Sequence, residues 1–446
     1  TIAYTPSSSS PGLETGSGIA GVQIVEVVSR VKEEIYTREA NVSDNWSATA
    51  WTKGSTSGQS WANATTEVST CAKVDVTKAP TLNVDSAVTA TSVAVFGTGN
   101  LALTGTGALT ASLFDATQLN GTLTLGTTGL LTTVVDTGAG TTVAVDTAEN
   151  RTYSALTLAG AGTFQKLGAG TVTIAMSSCP IDLQAGGLTL TGAAPSKVTS
   201  LVGTTLTVDG AMTVTAETQI AGKLIKNGSG DLSVSNDGNV ADVTVNGGNL
   251  KILDRSISQL GKVEMLGETE LHVDSWNGKV TMNSLKLQDN ATVAFANGNN
   301  THGDGQIIVT EGITIVNGAT FKGSEWGGNS KILCGASGTI NGTGTLTLTK
   351  NGGSGWSIFA PIAGELKVVK EGLIDIVLTG AGTYTGGTEV LANTLTAKAS
   401  SIGPGNVTVA SGATLEISDR ATNKLAINAS KTLAGAGTIT GNVSFA

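Results

Sequence analysis

From about residue 81 the chain alternates aliphatic and hydroxyl side chains in short runs. Leu101-Ala-Leu-Thr104, Thr122-Leu-Thr-Leu125, Thr171-Val-Thr-Ile174, Leu188-Thr-Leu-Thr191 and Thr205-Leu-Thr-Val208 are examples. A period of two is the period of a strand with one buried face. Gly, Asn and Asp separate the runs and supply the positive φ that tight corners need. Before residue 81 the pattern differs. Residues 1–16 are rich in Ser, Pro and Gly and read as an extended N-terminal arm. Ile24, Val27, Val28, Val31 and Ile35 fall at helical spacing, with Lys32, Glu33 and Glu34 between them. That spacing predicts one helix within residues 17–40. Residues 17–80 therefore read as a cap segment with one helix, and they carry Trp46, Trp51 and Trp61.

The runs also repeat. Phe164-Gln-Lys-Leu-Gly-Ala-Gly-Thr-Val-Thr-Ile174 matches Leu224-Ile-Lys-Asn-Gly-Ser-Gly-Asp-Leu-Ser-Val234. It also matches residues 348–358 with one insertion. Lys166, Lys226 and Lys350 sit at the same place in the three copies, 60 and 124 residues apart. Both gaps are near multiples of about 20, the size of one solenoid coil. One coil cannot bury its apolar face, whereas stacked coils form a continuous core. Residues 81–446 at about 20 per coil give about 18 coils and a rod on the order of 90 Å long. The expected fold is all-β, a parallel β-helix with a short helical, Trp-rich N-terminal cap.

Composition supports this class. The 60 Gly and 68 Thr among 446 residues disfavour packed helices. Only 4 % of residues are aromatic, which suits a narrow interior. Charged residues make up 13 %, and the net charge is −9. No basic footprint for nucleic acid or anionic membrane is present, and no apolar run is long enough to span a bilayer. The first residue is Thr1, which reads as a processed product whose targeting segment has been removed. Three cysteines, Cys71, Cys179 and Cys334, are too few for a disulfide-built scaffold.

Lys166-Leu-Gly-Ala-Gly-Thr-Val-Thr-Ile174 resembles the autotransporter-associated, or passenger-associated, β-strand repeat. So do Gly380-Ala-Gly-Thr-Tyr-Thr-Gly-Gly-Thr-Glu-Val390, Asn393-Thr-Leu-Thr396 and residues 405–415. The resemblance is close over about 40 residues and looser over the rest of 81–446. It implies a right-handed parallel β-helix on secreted or surface-displayed bacterial proteins, and it implies no single activity. No C-terminal translocator barrel follows the repeats in this sequence.

Candidate chemistry is sparse. Strand period places Glu268, Glu270, His272 and Asp274 on one face, with Leu271 and Val273 on the other. Such a face can hold a divalent metal or a sugar; the preferred reading is a solvated outer face. His302 and Asp304 lie in the polar stretch 297–305, a candidate glycan contact together with Trp46, Trp51 and Trp61. No catalytic residue, metal or cofactor is expected. The sequence ends within a repeat, and Thr1-Ile-Ala-Tyr-Thr5 alternates like a strand. Thr1, Ile2, Tyr4, Ile439, Val443 and Phe445 are therefore the expected subunit contacts. The expected function is a non-enzymatic extracellular structural protein that stacks head to tail on itself. A glycan-binding adhesin and a β-helix polysaccharide-degrading enzyme are the alternatives. No nucleic-acid partner and no membrane insertion are expected.

Overall fold

The computed structural model describes residues 32–445, apart from 40–42, 130, 236–237, 254–256, 275–278, 297–305, 324–330, 354 and 420–422. It is a parallel β-solenoid of about 16 turns. Each turn has three legs, and each leg hydrogen-bonds in parallel to the same leg of the next turn. The first ladder runs through Val145, Lys166, Leu183, Ser200, Ile220, Val240, Leu260, Met282 and Val309. The second runs through Tyr153, Ile174, Leu190, Val208, Lys226, Val245, Met265, Leu287 and Ile315. The third runs through Met212, Leu232, Leu250, Leu271, Val293, Phe321, Leu348, Lys370, Val390 and Val409. These rows point inward and are buried from one end to the other. The hydroxyl side chains of the Thr-aliphatic runs point outward, as their period requires.

Coil length varies where ladder register does not. Leu183 and Ser200 stand in register 17 residues apart, whereas Met282 and Val309 stand in register 27 apart. The difference is absorbed at the corners. Hence the coil count is about 16 and not the 18 that a uniform period gives. The solenoid also begins earlier than residue 81, because Lys32–Glu39 pairs with Val68–Val76 over its whole length.

That pairing corrects the expected helix. Residues 32–39 form a strand with Glu34, Tyr36 and Arg38 inward and Ile35 outward, 37 % exposed. Neighbouring strands supply its backbone partners on both edges, and its period is two. Val and Ile carry little helical preference to oppose this. The rest of the expected helix, and the arm 1–16, lie outside the described residues. Among the described residues the one helical element is the short 3-10 turn Ala399–Ser401.

The N-terminal cap is a β-hairpin. Trp51–Lys53 and Thr56–Gln59 pair with each other, and Trp51–Lys53 lies antiparallel along the free edge of Lys32–Glu39. The hairpin therefore covers that edge at Tyr36 and Thr37.

Candidate functional site

Three places in the rod concentrate chemistry: the aromatic cluster under the hairpin, a set of buried lysines at the corners, and a charged face on the third ladder.

At the N-terminal end, Trp51 is fully buried and its ring centroid lies 5.3 Å from those of Trp46 and Trp61. Tyr36 packs 5.3 Å from Trp61. The Arg38 guanidinium stands 5.6 Å over Trp51, and it also meets Asp44 at 3.1 Å. Glu34 is bracketed by Lys32 and Lys53, each at 2.7 Å. Hydrogen bonds from the two ammonium groups hold its carboxyl down at about 2. Trp46 and Trp51 are thus packing residues, and neither presents a face on which a glycan can stack. Trp61 alone of the three is partly exposed.

Four lysines are buried among aliphatic residues: Lys166, Lys226, Lys350 and Lys370. Three stand last or second to last in a strand and open a Lys-x-Gly corner whose glycine has positive φ: Gly168 (+70°), Gly228 (+61°) and Gly372 (+79°). The side chain folds inward and its ammonium donates to the carbonyls of that corner. Lys166 Nζ bonds the carbonyls of Leu167, Gly168 (2.8 Å) and Ala185 (3.3 Å). Lys226 Nζ bonds those of Asn227, Gly228 (3.3 Å) and Asp209 (3.3 Å). Lys370 Nζ bonds those of Gly372 (3.0 Å) and Ala392 (2.7 Å). The sharp corner turns carbonyls away from the ladder, and the lysine satisfies them in place of water. Lys350 differs. Its positive φ falls one residue later, at Gly353 (+76°), and among the described residues its ammonium has no hydrogen-bond partner. Burial pushes all four lysines below their ordinary pKa.

This placement corrects the repeat reading. Lys166 lies on the first ladder, Lys226 on the second and Lys370 on the third, where it follows Leu348 in register. The Lys-x-Gly motif marks a corner, whichever leg it ends, and does not mark one turn of the coil. Sequence reasoning missed Lys370, although Lys370-Glu-Gly372 carries the same signal.

On the third ladder the outer face carries Lys251, His272, Ala294 and Lys322 in one register. Glu270 lies beside them, and His272 Nδ1 is 2.9 Å from its Oε1. Lys251 pairs with Asp231 at 2.6 Å. The hydrogen bond from His272, helped by the charges of Lys322 and Lys251, lowers the Glu270 pKa. A general acid needs the opposite shift. Glu268 is exposed in the turn before the strand Glu270–Asp274. The Asp274 side chain lies outside what is described, as do His302 and Asp304. Among the described residues no three His, Cys, Asp or Glu side chains are grouped to hold a metal.

The remaining expected contacts lie in the last coil. Phe445 is 70 % exposed, and Ile439 and Val443 are half-buried. Leu415, the register partner of Ile439 one turn earlier, is sealed. Thr1, Ile2 and Tyr4 lie outside the described residues. Cys71, Cys179 and Cys334 are all free thiols, and burial raises Cys334 to about 11. No family model, no curated protein and no solved structure matches this chain.

Proposed function

We propose that this chain is a non-enzymatic structural rod of the bacterial surface or extracellular space, which lengthens by stacking coil on coil. The observation that carries the reading is the continuity of the three ladders along the rod. About 16 turns at a strand spacing of about 4.8 Å give a rod on the order of 75 Å long. Each turn hydrogen-bonds its neighbour on three legs, so bending the rod strains three ladders together. The coil edge at Val443–Phe445 would join a neighbouring copy, with Ile439, Val443 and Phe445 in the contact. The partner surface would be the arm at Thr1, Ile2 and Tyr4, or the exposed hairpin strand Thr56–Gln59. A depressed Glu270 pKa weighs against that residue as a general acid, and the burial of Trp46 and Trp51 weighs against a Trp-based adhesin.

Electron microscopy of the purified chain over a range of concentrations tests this. Filaments with an axial repeat near 75 Å are expected. Single rods at every concentration would overturn head-to-tail assembly. Turnover of any polysaccharide that survives Glu270→Ala would point to an enzyme built elsewhere on the rod.

A further inference from the structure

The corner between the first and second legs carries a groove that neither the aromatic cluster nor the charged face explains. Its floor holds the small residues Ala241 and Gly261 on successive turns, in line with the buried Gly222 on the turn before. Gly261 is obligatory there, because a Cβ would stand 1.7 Å from the Ala241 carbonyl oxygen. Two hollows of about 260 and 430 Å³ flank the column and share Asp242 and Lys262.

The walls are polar. On the first leg, Asn239, Gln259 and Thr281 stand in register and face outward. On the second leg, Lys223, Asp242 and Lys262 stand in register, all exposed. Among the described residues the side chains of Asn239 and Gln259 make no hydrogen bond, and neither Lys223 nor Lys262 has a carboxylate within salt-bridge distance. Next to them Glu264 is already occupied by Lys286 at 2.9 Å and Gln288 at 2.6 Å. The local excess is therefore cationic, on a chain whose net charge is −9.

We propose that this groove binds a linear acidic polysaccharide lying along the rod axis. The Asn239 and Gln259 amides stand on successive turns about 4.8 Å apart, with the Thr281 hydroxyl on the next, a spacing that serves the successive hydroxyls of an extended chain. The Lys223 and Lys262 ammonium groups take its carboxylates or sulfates, and Asp242 between them accepts from a hydroxyl. A Cβ at Gly222 or at Gly261 would strike the backbone of the preceding turn, so neither glycine can be enlarged. The site is independent of head-to-tail stacking, since it lies on the flank and not at a coil end.

The test is affinity electrophoresis and titration calorimetry of the full chain with polygalacturonate, with a sulfated glycan and with neutral dextran. The acidic polymers are expected to bind, more weakly at high salt, and dextran is not. Lys223→Ala with Lys262→Ala should weaken binding about tenfold or more, and Gln259→Ala should weaken it further. All three side chains are exposed, so the melting curve should not move. Failure of both acidic polymers to bind at low salt overturns the proposal. Binding that the triple variant leaves unchanged overturns the placement, and equal binding of dextran overturns the acidic class. Preference between carboxylate and sulfate identifies which acid the two lysines take.

Discussion

Lys350 and Lys370 occupy the same corner on adjacent turns, yet the fold treats their charges differently. Leu348 pairs in register with Lys370, which places Lys350 level with Gly372. Lys370 is held by two carbonyls at 2.7 and 3.0 Å, whereas among the described residues the Lys350 ammonium has no such partner. Each side chain is changed in turn to Met, the unbranched apolar residue closest in length. In Lys370→Met two half-buried carbonyls, those of Gly372 and Ala392, lose their donor. An unsatisfied buried acceptor costs about 1–3 kcal/mol, and relief of ammonium desolvation returns part of that. The net expectation is a loss of about 2 kcal/mol. In Lys350→Met no hydrogen bond is lost and an unpaired buried charge disappears. Replacing buried ionic groups with well-packed apolar ones of similar volume ranges from neutral to about 1–4 kcal/mol stabilising, and a gain of about 2 kcal/mol is expected here.

Stability in a solenoid is local, so the readout must be local as well. Hydrogen exchange by mass spectrometry, on peptides covering residues 340–375, measures the opening of these turns. About 2 kcal/mol is roughly a 30-fold change in opening. Exchange should slow in Lys350→Met and quicken in Lys370→Met. The pH dependence adds a second check. Burial lowers the Lys350 pKa, so the folded state binds that proton less tightly than the unfolded chain does. The penalty is full below the folded pKa and vanishes as pH rises through the ordinary lysine value near 10.4. After correction for intrinsic exchange rates, the advantage of Lys350→Met should shrink as the pH is raised toward that value. If Lys350→Met exchanges faster than the wild type, or if the two variants move together, the assignment of an unpaired charge at Lys350 is wrong.

Two further outcomes follow from the N-terminal end. Trp51→Ala opens a large cavity under the hairpin and should cost about 3–5 kcal/mol locally. Its mark would be lost exchange protection in residues 32–39 and 68–76, with the distant coils unchanged; full protection at 32–39 would refute the cap. Glu34, held at about 2, should support the first coil above the ordinary value of 4.5 and lose that support as the pH falls from 4.5 toward 2. The sign follows from a folded pKa depressed below the unfolded one. Acid titration followed by Trp fluorescence should show this transition in the wild type and not in Glu34→Gln.

The two-residue period of the Thr-aliphatic runs fixed the strands, and it fixed which side chains face in. Thr171-Val-Thr-Ile174 has no other way to bury Val172 and Ile174 together. The recurrence of such runs between Gly corners required stacking, because one coil has no core of its own. That much is local chemistry, and the sequence by itself determined it. Register was a different matter. Coils of 17 and 27 residues stand equally well in register, because corners absorb the difference at little cost. The sequence gaps between Lys166, Lys226 and Lys350 therefore carried no reliable coil count, and only the ladders placed the lysines on separate legs. The same holds for residues 32–39. Their local pattern suits a helix, yet the full-length parallel partner Val68–Val76 and the hairpin above it leave two edges that only a strand can fill. The burial of Trp46 and Trp51, and the groove along Gly222, Ala241 and Gly261, likewise exist only between turns. The Trp cluster closes only where the hairpin folds back on Tyr36, and the groove joins residues about 20 positions apart on successive turns, so tertiary structure alone decided them.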